Sequence, residues 1–223
     1  MGCGGSSLVE IYPEEWITSF ESLQLTRRDL VRLERVFGKI DESGDMKVDI
    51  QELLDYLDIA HTPFTTKVFS IFDEDSSGHI DFREFVLSLW NFCSCTDASL
   101  AMFAFDLYDT DASGRIETAE IENMLKEVYG REGYEKNQHA AKLMARINNQ
   151  VCSKTDHCVT LEAFSQFSAD NPAMLFPAFE MQRKIQKAVL GVSFWAAHLD
   201  RRLKLVDDGR SFISVKQLLK MRV

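Results

Sequence analysis

The sequence contains no apolar run that approaches the roughly 20 residues a membrane-spanning helix requires. It has only five cysteines, an odd number without the spacing of a disulfide framework, which is typical of a reducing compartment. None of the histidines is paired in sequence with a nucleophile in a way that indicates a catalytic site. These absences argue against a membrane-spanning protein, a disulfide scaffold and an enzyme, so we expect a non-catalytic protein.

Positive charge is also scarce, except in one segment. The chain has a net charge of −10, but residues 181–223 hold ten Lys or Arg against three Asp or Glu. The rest of the chain is therefore strongly acidic and would repel phosphates. We expect no binding to nucleic acid.

Two twelve-residue segments have the oxygen-rich pattern of a calcium-binding loop. Ca²⁺ takes about six to eight oxygens, which such a loop supplies from positions 1, 3, 5, 7 (a carbonyl), 9 and 12, with Gly at position 6 for the sharp turn. The predicted ligands of the first loop are Asp73, Asp75, Ser77, His79, Asp81 and Glu84. Those of the second are Asp109, Asp111, Ser113, Arg115, Glu117 and Glu120. A solvated polar turn is the alternative, but two matches with helix-period apolar flanks favour calcium.

A third loop lies upstream, from Asp41 to Glu52. Its predicted ligands are Asp41, Ser43, Asp45, Lys47 (a carbonyl), Asp49 and Glu52. Position 6 is Met46, and a left-handed backbone at a non-Gly residue costs about 1–2 kcal/mol, or about a tenfold loss of affinity. Gly44 offers this loop another way to fold. We therefore expect two filled calcium sites and leave the third open, with Val48 at position 8 placed to pair with Ile80.

A fourth loop is expected from Cys152 to Ala163, with Val159 at position 8. Cys152, Lys154 and His157 stand where Asp, Asp and Gly would, and Ala163 replaces the bidentate Glu. We expect no calcium here. This fourth helix–loop–helix unit would persist because the unit around the loop Asp109–Glu120 needs a partner to bury its apolar face.

Residues of about 25–168 resemble the calcineurin B-like and neuronal calcium sensor group of four-EF-hand proteins. The resemblance is carried best by the segment from Phe69 to Phe85 and by the run 104–109 that opens the third hand. It implies an all-α fold of two paired EF-hand lobes, residues 25–95 and 96–169, with short two-stranded β contacts between loops. It also implies a hydrophobic groove for a protein target, such as a kinase, phosphatase or transporter. A calcium buffer, or a structural calcium-binding protein associated with membranes, remains the alternative.

The amino terminus fits the pattern for N-myristoylation at Gly2, with Ser6 at the required place and Cys3 as a candidate for palmitoylation. One myristoyl chain binds membrane only marginally, with a constant of about 10⁴ M⁻¹. No Lys or Arg precedes Arg27 to reinforce it. We therefore expect residues 1–24 to form a doubly acylated arm and a lead-in helix, and the protein to lie on the cytoplasmic face of a membrane. An unmodified terminus is the alternative.

Residues 170–223 predict a C-terminal amphipathic helical extension. One apolar stripe recurs at steps of three and four residues, and basic residues interleave with it. The stripe is Ala178, Met181, Ile185, Ala188, Val192, Trp195 and Leu199, and the basic residues are Arg183, Lys184, Lys187, Arg201 and Arg202. Our hypothesis is that this helix lies in the target groove of its own acidic body and masks it. A helix that merely completes the core is the alternative.

Overall fold

The computed structural model describes residues 12–109, 111, 113–129, 134–135, 138–148 and 158–205. These residues form eleven α-helices, one 3₁₀ turn (Pro172–Leu175) and two short strands, which confirms the predicted all-α class. The helices are α1 (Glu14–Ser22), α2 (Arg27–Ile40), α3 (Ile50–Leu57), α4 (Pro63–Phe72), α5 (Phe82–Cys93), α6 (Asp97–Tyr108), α7 (Thr118–Tyr129), α8 (Gln138–Arg146), α9 (Leu161–Asp170), α10 (Phe176–Ala188) and α11 (Val192–Leu205). The strands are β1 (Arg115–Glu117) and β2 (Cys158–Thr160).

The loop sequences themselves start the helices that leave them. Asp81 is the N-cap of α5 and accepts a hydrogen bond from the Glu84 amide, while the Glu84 carboxylate accepts one from the Asp81 amide. Asp49 and Glu52 form the same reciprocal capping box on α3. Because a capping box satisfies two otherwise unpaired amides, the last loop ligands are fixed to the first turn of each helix.

Paired loops are joined through their eighth positions, as the sequence predicted. Val48 and Ile80 exchange two backbone hydrogen bonds of 2.9 and 2.8 Å. Strands β1 and β2 pair antiparallel with Ile116 opposite Val159. Both predicted β contacts are therefore confirmed, and all four side chains are buried.

The chain divides into two compact units. Among the described residues, the first comprises 12–61, 69–94 and 184–205. Its core is aromatic: Phe82 lies edge-on to Phe37 with ring centroids 5.5 Å apart, and Phe37 lies edge-on to Phe85 at 5.2 Å. Helix α11 packs against α5 within this unit.

The second unit comprises residues 62–68 and the described residues between 95 and 183. Helices α6 and α9 pack together, with the rings of Phe105 and Phe164 5.7 Å apart. The 3₁₀ turn packs against α6, α7 and α9 and buries Met174 and Leu175. The start of the extension thus fills the apolar interior of this unit.

As far as residue 205, the stripe-bearing part of the extension is two helices rather than the single one that the apolar stripe predicted. Leu190 and Gly191 both have positive φ, at 62° and 89°, and separate α10 from α11. The predicted stripe is buried at Ala178, Met181, Ile185 and Trp195, but it is interrupted at the break, where Ala188 is exposed and Val192 is 48 % exposed. Left-handed residues after a helix are a common way to end it, and Gly191 was the signal.

The break rotates the buried face of α11. Trp195, His198 and Arg202 are its buried residues, at the i, i+3, i+7 spacing of one helix face. We expected Arg202 to interleave with the apolar stripe, but it belongs to the buried face. No helix among the described residues has both the length and the apolar character needed to cross a membrane.

We predict that Gly191→Ala destabilises the protein by about 1–2 kcal/mol, because φ is left-handed there although a Cβ would meet open space. Gly38→Ala is the matched control: a Cβ also meets open space, but the residue is helical. This control is expected to stabilise by about 0.5–1 kcal/mol. Urea unfolding without calcium measures the free energy of unfolding of both variants. Changes of the same sign would contradict the left-handed conformation at Gly191.

Candidate calcium-binding loops

A buried aspartate at position 1 organises the loop from Asp73 to Glu84. Its Oδ1 accepts a hydrogen bond from the Ser77 amide at 2.9 Å, and its Oδ2 accepts one from the Gly78 amide at 2.8 Å. The chain therefore curls around this carboxylate. A buried carboxylate is costly unless it is hydrogen-bonded or paired with a cation, so the loop is shaped around negative charge.

The position-12 carboxylate closes the loop from the other side. Glu84 is buried, and its Oε1 accepts hydrogen bonds from the Glu74 and Asp75 amides at 2.9 and 3.3 Å. Burial raises the pKa of the Glu84 carboxyl, because the charged form loses hydration there. Hydrogen bonds from Ser77 lower the pKa of Asp75, which is exposed.

Three carboxylates of this loop converge. One oxygen from each of Asp73, Asp75 and Glu84 lies within 4.8 Å of the others. Ser77 Oγ donates to the His79 carbonyl at 3.0 Å, which places two more predicted ligand oxygens together. Hard oxygen donors in this arrangement fit Ca²⁺.

The loop from Asp109 to Glu120 repeats this hydrogen-bond pattern. Asp109 is buried and accepts from the Ser113 and Gly114 amides at 2.9 and 2.8 Å. Ser113 Oγ donates to the Arg115 carbonyl, and the Glu117 amide donates to Glu120 Oε2, both at 3.0 Å. Ser113 also donates to Asp111, whose pKa it lowers. Thr110 and Ala112 lie outside the described residues.

The upstream loop adopts the same fold around Asp41. Asp41 Oδ1 accepts from the Gly44 amide at 2.7 Å, and its Oδ2 accepts from the Met46 amide at 3.0 Å. At the other end, Glu52 accepts from the Ser43 and Asp49 amides at 3.2 and 3.0 Å. Asp45 accepts from the Lys47 amide at 2.9 Å. The amide-to-carboxylate hydrogen bonds of this loop thus follow the pattern of the other two.

Backbone strain does not distinguish this loop from its neighbour. In the upstream loop, positions 4 and 6 are left-handed, at φ 73° for Gly44 and 65° for Met46. In the next loop the same positions are Ser76 at 58° and Gly78 at 86°. Each loop has one glycine and one strained residue at these two positions. The cost assigned to Met46 from the sequence is therefore matched by a comparable cost at Ser76.

Most of the fourth loop lies outside the described residues, including Cys152, Lys154 and His157. What the structure describes is β2 and the helix that follows it. Thr160 takes the capping position of the other hands and accepts from the Ala163 amide at 3.4 Å. Ala163 has no carboxylate with which to complete the box, so this hand keeps the fold of its exit helix without the position-12 ligand.

The segment before α1 contacts the loop Asp73–Glu84 directly. Tyr12 stacks on Phe82, at position 10 of that loop, with ring centroids 4.9 Å apart. Its hydroxyl donates to Glu34 Oε1 at 3.0 Å, and burial together with Glu34 raises the pKa of the phenol. Gly2 and Cys3 lie outside the described residues.

Comparison of the chain with known proteins identifies its relatives. A family model described as EF hand matches residues 66–89 and 104–125. The calcineurin B subunit of Naegleria gruberi is 31 % identical over 127 residues, which are 56 % of this chain and 72 % of that protein. The human calcineurin B subunit, type 2, is 31 % identical over 120 residues, or 53 % of this chain and 68 % of that protein. The calcineurin B subunit of Candida glabrata is 31 % identical over 132 residues, or 58 % and 71 %.

The chain belongs to the calcineurin B family. It is accordingly a calcium-binding EF-hand protein that regulates rather than catalyses, as the sequence predicted. The matches cover little more than half of this calcineurin B-family chain.

Two features of the loops and the extension escaped the sequence analysis. The left-handed conformation at position 4 was not foreseen, although Gly44 and its offset from Gly78 pointed to it. The contacts of Arg202 were not foreseen either, because an arginine in an amphipathic helix is usually predicted to face solvent. Its spacing of seven residues from Trp195 was the available signal.

We predict that Met46→Gly and Ser76→Gly stabilise the protein by similar amounts, about 1 kcal/mol each, because both relieve one left-handed residue. Calcium-free urea unfolding measures the two variants side by side. A much larger gain for Met46→Gly would show that the upstream loop is the more strained of the two.

Proposed function

We propose that this protein is a membrane-anchored calcium sensor that regulates a protein target. The observation that carries the proposal is the repeated loop geometry: three buried aspartates, Asp41, Asp73 and Asp109, each accept backbone amides of the loop that follows. In the loop Asp73–Glu84, three carboxylates also converge. The relatives are named as subunits of calcineurin. Among kinase, phosphatase and transporter targets, this favours the catalytic subunit of a phosphatase.

Calcium would be held by three loops rather than two. The ligands at Asp73–Glu84 and Asp109–Glu120 are those predicted from the sequence. The loop Asp41–Glu52 has the same hydrogen-bond pattern and no excess backbone strain, which supports a third site. Bound calcium would neutralise the carboxylates of each loop.

Helix α5 provides a path from calcium to the target surface. Glu84 is the only predicted ligand of its loop that belongs to α5 itself. An ion that recruits the Glu84 carboxylate therefore shifts the first turn of the helix relative to the loop. The last turn of the same helix contacts α11 through Trp90 and Asn91, and its C-cap does so through Ser94. Since a twelve-residue helix moves as a rod about 18 Å long, calcium binding and the hold on α11 are coupled.

The extension would mask the target surface, calcium binding would loosen it through α5, and a partner would then displace it. In the first unit α11 buries Trp195 and His198 against the hand-bearing helices, and in the second the 3₁₀ turn buries Met174 and Leu175. Sensor hands expose apolar grooves when calcium binds. Occupation of each unit by the chain's own extension supports the hypothesis that the groove is covered rather than empty.

We predict that calcium raises the fluorescence of a hydrophobic dye bound to the protein, and that Glu84→Gln shifts the midpoint to at least tenfold more calcium. The substitution removes a ligand charge and the link to α5. Glu74→Gln is the matched control, because Glu74 lies in the same loop at position 2 and its side chain pairs with Arg83 at the surface. Calcium binding without any dye response would favour a buffer instead.

We further propose that Gly2 carries a myristoyl group and Cys3 a palmitoyl group, which together hold the protein on the cytoplasmic face of a membrane. The motif supports the first chain, and the lack of basic residues before Arg27 makes a second chain necessary. Tyr12, fixed against Phe82, would tether this arm to the first unit.

We predict that Gly2→Ala moves the protein from the membrane to the soluble fraction of cells, whereas Gly4→Ala leaves it on membranes. Both replace a glycine in the same arm, but only Gly2 provides the amine that is acylated. Incorporation of a labelled fatty-acid analogue, measured with fractionation, checks the cause. Persistence of Gly2→Ala on membranes would rule out acylation as the anchor.

A further inference from the structure

A charged side chain of the extension is buried in the first unit. Arg202 is only 7 % exposed, although arginine is almost never buried unless its charge is satisfied. Its Nη1 donates to the Asn91 carbonyl at 2.8 Å and to Ser94 Oγ at 3.1 Å. Its guanidinium carbon lies 5.3 Å from the centroid of the Trp90 ring. All three of these partners belong to the end of α5.

The end of α5 is suited to a cation for two physical reasons. The carbonyls of the last turn have no partner within the helix and form the negative end of its dipole. The face of an indole ring attracts cations, and a planar guanidinium stacks on it better than an ammonium does. Ser94 is 0 % exposed, and its hydroxyl donates to the Trp90 carbonyl at 2.5 Å. A lone pair of the hydroxyl is thereby left to accept from Arg202.

Helix α11 carries a second anchor two turns before Arg202. Trp195 is 1 % exposed, and its Nε1 donates to the Val189 carbonyl at 2.6 Å, within the extension itself. The body thus needs to offer only apolar contact to this ring. Arg202, by contrast, draws its carbonyl and hydroxyl acceptors from the body. Polar selectivity therefore resides in the arginine site and not in the aromatic one.

Other basic residues of the extension follow the same rule at the surface. Lys184 donates to the carbonyl of Asp58, the C-cap of α3, at 2.5 Å. Arg201 donates to the carbonyl of Gln24, just past α1, at 3.1 Å. Helix C-terminal carbonyls of the body thus meet basic residues of the extension, so the covered surface favours a positively charged occupant.

We propose that Trp90, the Asn91 carbonyl and Ser94 form a guanidinium-binding subsite of the target groove. The partner that displaces α11 is then a basic amphipathic helix with an aromatic anchor and an arginine seven residues later. This inference rests on the proposed masking of the groove by the extension. Arg202 occupies the subsite in the partner's absence.

The test uses the full-length protein with calcium and a labelled peptide of residues 189–205 added in trans. Wild-type protein should bind this peptide weakly, because its own helix competes. Arg202→Ala in the protein loosens that helix and should tighten peptide binding at least tenfold, as read by fluorescence anisotropy. Arg202→Lys in the protein serves as a second variant, checked for native helical circular dichroism, and should give a smaller gain.

The peptide then tests the subsite. On Arg202→Ala protein, a peptide with Arg202→Ala should bind at least tenfold more weakly than the native peptide. A peptide with Arg201→Ala has the same net charge and should lose less, since Arg201 contacts the exposed Gln24 carbonyl. Adding Ser94→Ala to the protein should weaken the native peptide but not the Arg202→Ala peptide.

The masking of the groove and the arginine subsite are contradicted by different results. If no protein variant binds the peptide more tightly than wild type, the extension is not a displaceable mask and the proposed function loses this element. If the variants do bind it but Arg201→Ala and Arg202→Ala peptides weaken equally, the mask is real and the arginine subsite is wrong.

Discussion

One carboxylate in each loop holds the rest of the arrangement in place. Asp41, Asp73 and Asp109 are buried, and each accepts backbone amides from the residues that follow it. Those hydrogen bonds curl the chain around the carboxylate, and in the loop Asp73–Glu84 the oxygens of three carboxylates converge. Since burying negative charge is unfavourable without compensation, loops of this kind are matched to a cation, and the strongly acidic body is a consequence of having several of them.

The loops matter for function because their ligands are built into helices. In the second hand the capping box of Asp81 and Glu84 makes the final ligand part of the first turn of α5. The far end of that helix holds Arg202 through a carbonyl, a hydroxyl and an aromatic face. Helix α5 thus connects the candidate ion site at one end with the contacts to α11 at the other, both within the first unit.

The sequence was most informative where the chemistry fixes the spacing. A calcium loop must place its oxygens and its central β contact at set positions, so the pairs Val48–Ile80 and Ile116–Val159 could be predicted residue by residue. The break at Gly191 was missed because apolar residues continue at helical spacing on both sides of it. Periodicity reports which residues could share a face but not whether the helix is continuous.

Arg202 and Met46 show a second limit. The burial of Arg202 depends on the carbonyls and ring at the end of α5, which are distant in sequence and invisible to a local pattern. Met46 was judged by a motif that names one glycine. The backbone instead requires two left-handed residues, and Gly44 supplies the other. Tertiary partners and backbone conformation decided both cases.

Calorimetric titration of the purified protein with micromolar calcium, in the absence of magnesium, tests the central claim most directly. Three binding sites are predicted, one of which is lost when Glu52→Gln removes the final ligand of the upstream loop. Absence of any heat from calcium in this range would contradict the assignment of all three loops.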